Sequence, residues 1–113
     1  MDSELIKTVL TDRDEKIYEL MSKGDFGQIA TLLCTKLEAV LKYVFHFDGE
    51  LYEMINKLRN IKSIELTKNQ FDSLYKMRQF RNATAHAGVI GDEKQITSND
   101  VFDVINVFKI IDR

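Results

Sequence analysis

The chain has no proline and no tryptophan, and its only cysteine is Cys34. A chain of 113 residues without proline, rich in Leu, Ile, Lys and Glu, favours long helices over many tight turns. A single cysteine cannot form an internal disulfide, which favours a reducing compartment. No apolar run approaches the roughly 20 residues of a membrane span, and the acidic start lacks the pattern of a secretory signal. We therefore predict a soluble cytoplasmic protein, folded as one domain over residues 1–113.

Apolar side chains recur at helical spacing in five stretches of the chain. The clearest stretch predicts a second helix that follows the N-cap Asp25 and ends before a turn at residues 48–49. Its predicted apolar face consists of Ile29, Leu32, Leu33, Leu37, Val40, Leu41, Val44 and Phe45. The other predicted boundaries are a first helix ending near Gly24, a third carrying Leu51 to Ile61, a fourth capped by Thr67, a loop between Gly88 and Gly91, and a fifth opened by Ser98 or Asn99. This pattern predicts an all-α bundle of four or five helices.

The segment from Arg81 to Gly88 carries the most informative chemistry of the chain. Arg81 is followed directly by Asn82 and, five positions after the arginine, by His86, with small residues between them. A guanidinium makes paired hydrogen bonds to phosphate oxygens, and histidine transfers protons near neutral pH. RNA cleavage without a metal needs both functions, because the 2′-hydroxyl must lose a proton, the 5′-oxygen must gain one, and the phosphoryl charge must be stabilised. The segment therefore suggests metal-independent phosphodiester chemistry.

Helix geometry constrains how these side chains meet. Asn82 and His86 are separated by about 40° on a straight helix and share a face, with Arg78 one turn further back. Arg81 and His86 are separated by about 140°, so both reach one phosphate only if the helix bends or if the arginine enters a cleft from the side. The spacing also fits an exposed arginine and a histidine that caps a helix C-terminus, where a positive imidazole suits the dipole.

Positive charge is concentrated in the segment that leads into this motif. The whole chain has a net charge of −2, which argues against a protein that coats nucleic acid indiscriminately. Residues 57–81, however, carry seven basic and two acidic side chains, a local net charge of +5. A solvated helix face also explains such a run. Lys76 and Arg78 are the candidate RNA contacts in this segment.

The stretch from Met77 to Gly88, which contains R-N-x-x-x-H-x-G, resembles the signature of the HEPN superfamily. These are small all-helical domains of prokaryotic toxins, phage-defence proteins and CRISPR-associated ribonucleases. Residues 37–43 resemble the family helix that carries a glutamate at its inward edge, here Glu38. Residues 48–55 resemble the turn that opens the next helix, and the resemblance covers roughly residues 25–110.

The resemblance implies a compact four- to five-helix HEPN-like bundle that forms a homodimer, with both motifs lining a shared cleft. It implies a metal-independent endoribonuclease of the toxin or phage-defence type, without a cofactor and with an antitoxin or regulatory protein as a further partner. By this resemblance, His86 transfers protons, Arg81 binds the scissile phosphate, and Asn82 orients the phosphate or His86. Glu38 is then the partner of Arg81 or of His86.

Two further functions stay open. Many HEPN domains are non-catalytic, so a HEPN-like dimerisation or partner-binding module is the alternative to an enzyme. A subunit that neutralises a partner from the same operon is the third hypothesis. The other candidate residues have structural interpretations. His46 is predicted at a helix end or in packing, and Cys34 in or near the core. Tyr43, Tyr52 and Tyr75 are predicted as partly buried packing residues, with base stacking as their alternative role.

Overall fold

The computed structural model describes residues 16–86 and 95–111, with the side chains of residues 84–86 outside that description. Within these two ranges the chain forms helices joined by turns and contains no strand. The helices are α1 over residues 16–22, α2 over Phe26–Tyr43, α3 over Leu51–Leu58, α4 over Lys68–His86 and α5 over Ser98–Ile111. The prediction of an all-α bundle is confirmed. The predicted loop between Gly88 and Gly91 lies outside the described residues.

Local sequence signals set several of the helix boundaries. Gly24 adopts φ +72° between α1 and α2, a left-handed conformation that glycine takes without steric cost. Asp25 then caps α2, because its side chain accepts a hydrogen bond from the amide of Gln28 at 3.2 Å. At α4, the Thr67 hydroxyl accepts from the amide of Gln70 at 3.1 Å, and the Gln70 side chain accepts from the amide of Thr67 at 2.8 Å. These three predicted boundaries are confirmed.

The third helix is shorter than its apolar pattern predicts. α3 ends at Leu58, so the prediction that it carries Ile61 is wrong. The amides of Arg59 and Asn60 bond to carbonyls three residues earlier, at 3.2 and 3.1 Å. This tighter turn closes the helix, although Ile61 itself remains partly buried beyond it.

α5 begins at Ser98, as predicted, and Thr97 is its N-cap. The Thr97 hydroxyl accepts from the amide of Asp100 at 3.3 Å, and the Asp100 carboxylate accepts from the amide of Thr97 at 2.8 Å. A reciprocal pair of this kind satisfies two amides at once, which a cap at the neighbouring serine or asparagine does not provide here.

The core lies where α4 packs against α2, α3 and α5. The largest side chains that are almost fully buried are Ile17, Ile29, Val40, Leu41, Met54, Ile55, Leu58, Leu74, Met77, Val101, Val104 and Val107. Cys34 is also buried, as predicted, whereas the prediction for Val44 is wrong because α2 ends at Tyr43 and leaves Val44 43% exposed. No helix in the described ranges has the length and apolar character of a membrane-spanning segment.

Candidate functional site

An ion pair between Arg81 and Glu38 joins α4 to α2 at the edge of the core. Nη1 of Arg81 lies 2.6 Å from Oε1 of Glu38. The two side chains are 25% and 34% exposed, so water reaches the pair and screens its attraction. A short, charge-assisted hydrogen bond of this kind sets the direction of the guanidinium more than it adds to stability.

Asn82 fixes a second side of the same guanidinium. Its side-chain oxygen accepts from Nε and Nη2 of Arg81 at 3.4 and 3.3 Å. Adjacent positions on a helix are about 100° apart, so this contact requires the long arginine to lean toward the face of its neighbour. The guanidinium therefore approaches the Asn82 face of α4 from the side, and it contacts Asn82 on α4 and Glu38 on α2.

His86 is the last residue of α4, and its side chain lies outside the described residues. The backbone is helical from Lys68 through His86 without interruption. His86 therefore follows Asn82 by one helical turn, on the same face of α4 and about 6 Å further along the axis. The sideways position of Arg81, rather than a break in the helix, brings the guanidinium toward that face.

A groove of about 380 Å³ opens in front of the ion pair, between α2, α3 and α4. Its polar lining consists of Glu38, Lys42, Glu50, Arg78, Arg81 and Asn82, and Leu51 and Met54 contribute apolar surface. Three cationic and two anionic side chains therefore face one open space. Such a mixture can bind a phosphate while holding the guanidinium groups in fixed directions.

The turn between α2 and α3 gives the groove its far wall. Gly49 lines it with φ +104°, where any other residue is strained. Nζ of Lys57 donates to the carbonyl of Asp48 at 3.0 Å and ties α3 back to this turn. His46 lies just before it with φ +59° and an exposed side chain, three residues beyond the end of α2, so the prediction that it ends this helix is wrong.

The buried thiol of Cys34 lies one turn before Glu38 on α2, and the charged residues of the site affect its pKa. Burial raises the pKa of Cys34 to about 12, while the nearby charges of Arg81 and Arg78 lower it and that of Glu38 raises it. The thiol therefore stays protonated at neutral pH and is no nucleophile.

The structure brings four of the predicted site residues together and separates another from them. Arg81, Asn82, Arg78 and Glu38 all line the groove. Lys76 instead faces α5, where its Nζ lies 3.0 Å from Oδ2 of Asp100.

Lys42 and Glu50 also line the groove but are not predicted from the sequence, and only the position of Lys42 could have been. Lys42 follows Glu38 by one turn of α2, so helical spacing alone places both on one face. Glu50 joins the groove only through the turn before α3.

Comparison with known proteins gives a family but no activity. Neither the search of curated proteins nor the search of solved structures gives a significant match. The family model described as Domain of unknown function (DUF4145) matches residues 15–112, and the chain belongs to that family.

Proposed function

We propose that this protein is a metal-independent endoribonuclease of the HEPN type, acting in the cytoplasm as a homodimer in a toxin or phage-defence system. The observation that carries the proposal is the position of the Arg81 guanidinium. Glu38 and Asn82 hold it toward the face of α4 on which His86 follows one turn later. An arginine that donates hydrogen bonds to the phosphate and a residue that transfers a proton are two of the functions that metal-free RNA cleavage requires.

The proposed reaction is a transesterification. The 2′-oxygen attacks the adjacent phosphorus, the 2′-hydroxyl proton passes to a base, and the bond between phosphorus and the 5′-oxygen breaks. The departing 5′-oxygen takes up a proton, which leaves a 2′,3′-cyclic phosphate and a free 5′-hydroxyl. Arg81 binds the non-bridging oxygens, where negative charge increases in the transition state.

His86 transfers one of the two protons, and a dimer supplies the group for the other. Each chain has a single histidine in the motif, so one copy cannot act as base and acid at the same moment. A second copy across a shared cleft contributes its own His86. Asn82 orients Arg81 within each copy, and Glu38 holds the guanidinium from the side of α2.

The test is an RNA cleavage assay in the presence of EDTA, with the product ends identified. The chain offers a matched control, because its two histidines are His86 and His46. We expect His86→Asn to abolish cleavage and His46→Asn to leave it unchanged, since asparagine tolerates the left-handed backbone of position 46. Cleavage by wild type with 2′,3′-cyclic phosphate ends supports the proposal. Full activity of His86→Asn, or no cleavage by folded, dimeric wild type, overturns it.

One observation favours the alternative of a non-catalytic dimerisation or partner-binding module. The Arg81–Glu38 contact joins two helices that pack in the core, so the arginine also has a structural use. On this alternative, an Arg81→Ala/His86→Ala double variant keeps its biological activity in cells, and its antitoxin or regulatory partner still binds. Loss of that activity in a double variant that remains folded and dimeric favours the enzyme.

A further inference from the structure

A second cleft, of about 660 Å³, lies between α3 and α4 on the other side of Arg78. Its walls alternate arginine and tyrosine, and we call it the Tyr–Arg cleft after Tyr52, Arg59, Tyr75 and Arg78. The guanidinium carbon of Arg78 is 5.3 Å from the ring centre of Tyr52, and that of Arg59 is 5.6 Å from the ring centre of Tyr75. The two tyrosine rings are themselves 5.6 Å apart. Four planar groups therefore lie next to one another in one cluster, with the two tyrosine rings tilted by 50°.

Part of this surface is held in place and part is open. The Tyr75 hydroxyl donates to the side-chain oxygen of Asn56 and accepts from Nε of Arg59 at 3.3 Å. Arg59 also lies over the ring of Phe71, at 4.7 Å, which limits its movement. Tyr52, by contrast, is 48% exposed, although the Arg78 guanidinium lies over its ring. The cleft thus offers a preformed platform with an accessible aromatic residue.

The charge of the cleft specifies its ligand. Two arginines line it, no acidic side chain among the described residues does, and the amides of Asn56, Asn60 and Gln79 complete the lining. A ligand that matches this surface carries negative charge, a flat ring that stacks on tyrosine, and polar edges for the amides. Unpaired nucleotides combine all three, whereas the bases of a duplex are not free to stack on a side chain.

We propose that the Tyr–Arg cleft binds single-stranded RNA beside the bond that is cut, with a base on Tyr52 and phosphates at Arg59 and Arg78. This assignment rests on the proposed function, because it makes the bound strand the substrate. Arg78 lines both the cleft and the groove that contains Arg81, so a strand passes from one to the other along α4. Selection for unpaired RNA then comes from stacking in the cleft.

The experiment measures binding separately from cleavage. A short, fluorescein-labelled, single-stranded 2′-O-methyl RNA cannot be cut, and fluorescence anisotropy gives its Kd. We expect Tyr52→Ala to raise the Kd about tenfold or more. The matched control is Tyr43→Ala, since Tyr43 is 50% exposed but lies outside the cleft, and we expect its Kd to stay within about twofold of wild type. Arg59→Gln should weaken binding and reduce the dependence of log Kd on log salt by about one phosphate contact.

The possible outcomes distinguish failure of the cleft assignment from failure of the proposed enzymatic function. If wild type cuts RNA but Tyr52→Ala binds the strand as tightly as wild type, the cleft assignment is wrong and the proposed function stands. If Tyr52 is needed for binding but wild type never cuts RNA, the proposed function fails, and the cleft remains a single-stranded RNA site that does not hold a substrate. If Tyr52→Ala loses affinity for polyglutamate but not for RNA, the cleft binds acidic proteins and the assignment is overturned.

Discussion

Nη1 of Arg81 and Oε1 of Glu38 lie 2.6 Å apart, although 43 positions of sequence separate the two residues. The contact joins the helix that carries the motif to the helix that forms the opposite wall of the groove. Because both side chains are partly exposed, the contact determines orientation more than stability.

Arg81→Lys keeps the positive charge and removes the planar fork that reaches Glu38 and Asn82 together. We expect RNA cleavage to fall about 10²-fold, because lysine cannot make paired hydrogen bonds to the phosphate. The free energy of unfolding should change by less than about 1 kcal/mol. Single-turnover cleavage and urea unfolding measure the two quantities. An Arg81→Lys variant as active as wild type contradicts the assigned role.

Glu38→Gln leaves an acceptor near Arg81 and removes a negative charge that an incoming phosphate meets. We expect KM for RNA to fall, because that repulsion is lost. We expect kcat to fall about tenfold, because a neutral acceptor holds the guanidinium less firmly. Steady-state kinetics separate the two effects, and Glu65→Gln, at an exposed glutamate before α4, is the control. A higher KM with unchanged kcat shows that Glu38 contacts substrate instead.

Asp100 links the start of α5 to α4 and makes stability depend on pH. Burial favours a higher pKa for its carboxyl, but the Thr97 amide and Lys76 outweigh burial and hold the pKa below the ordinary 3.8. The stabilisation is present above that ordinary value and is lost as pH falls through the folded-state pKa.

We expect Asp100→Asn to lower the free energy of unfolding by about 1 kcal/mol at neutral pH, and by progressively less below about pH 4. Urea unfolding across this pH range measures the difference. Asp72→Asn, at an exposed position of α4, is the control and should show little effect at any pH. A deficit of Asp100→Asn that stays constant into acid contradicts the electrostatic explanation.

Substitution of Gly24 tests backbone conformation separately from side-chain contacts, because a methyl group added there meets no atom within 4 Å. Its φ of +72° nevertheless disfavours any residue with a side chain. We expect Gly24→Ala to lower the free energy of unfolding by about 1 kcal/mol, and Gly24→Asn to cost less, because asparagine tolerates this conformation better. Urea unfolding of both variants checks the order. Equal losses would point to a cause other than backbone conformation.

The sequence predicts those features correctly whose determining interactions are local. Helical periodicity located the helices, and the caps at Asp25 and Thr67 were readable because capping acts over three residues. At the start of α5 the sequence leaves Ser98 and Asn99 open as the first residue, because neighbouring Thr, Ser and Asn are all capable caps. The reciprocal bonds of Thr97 with Asp100 make Ser98 the first residue of the helix.

The all-α class and the order Arg81, Asn82, His86 along one helix follow from the sequence alone, since both depend on contacts within a few residues. The packing of the helices determines which charged residues meet. It placed Glu38 against Arg81, drew Lys76 away to Asp100, and set Arg78 over Tyr52. Nothing in the local pattern distinguishes Lys76 from Arg78, because the packing of α4 against α3 and α5 assigns their partners. Long-range pairing of charges depends on how helices pack, which periodicity does not encode.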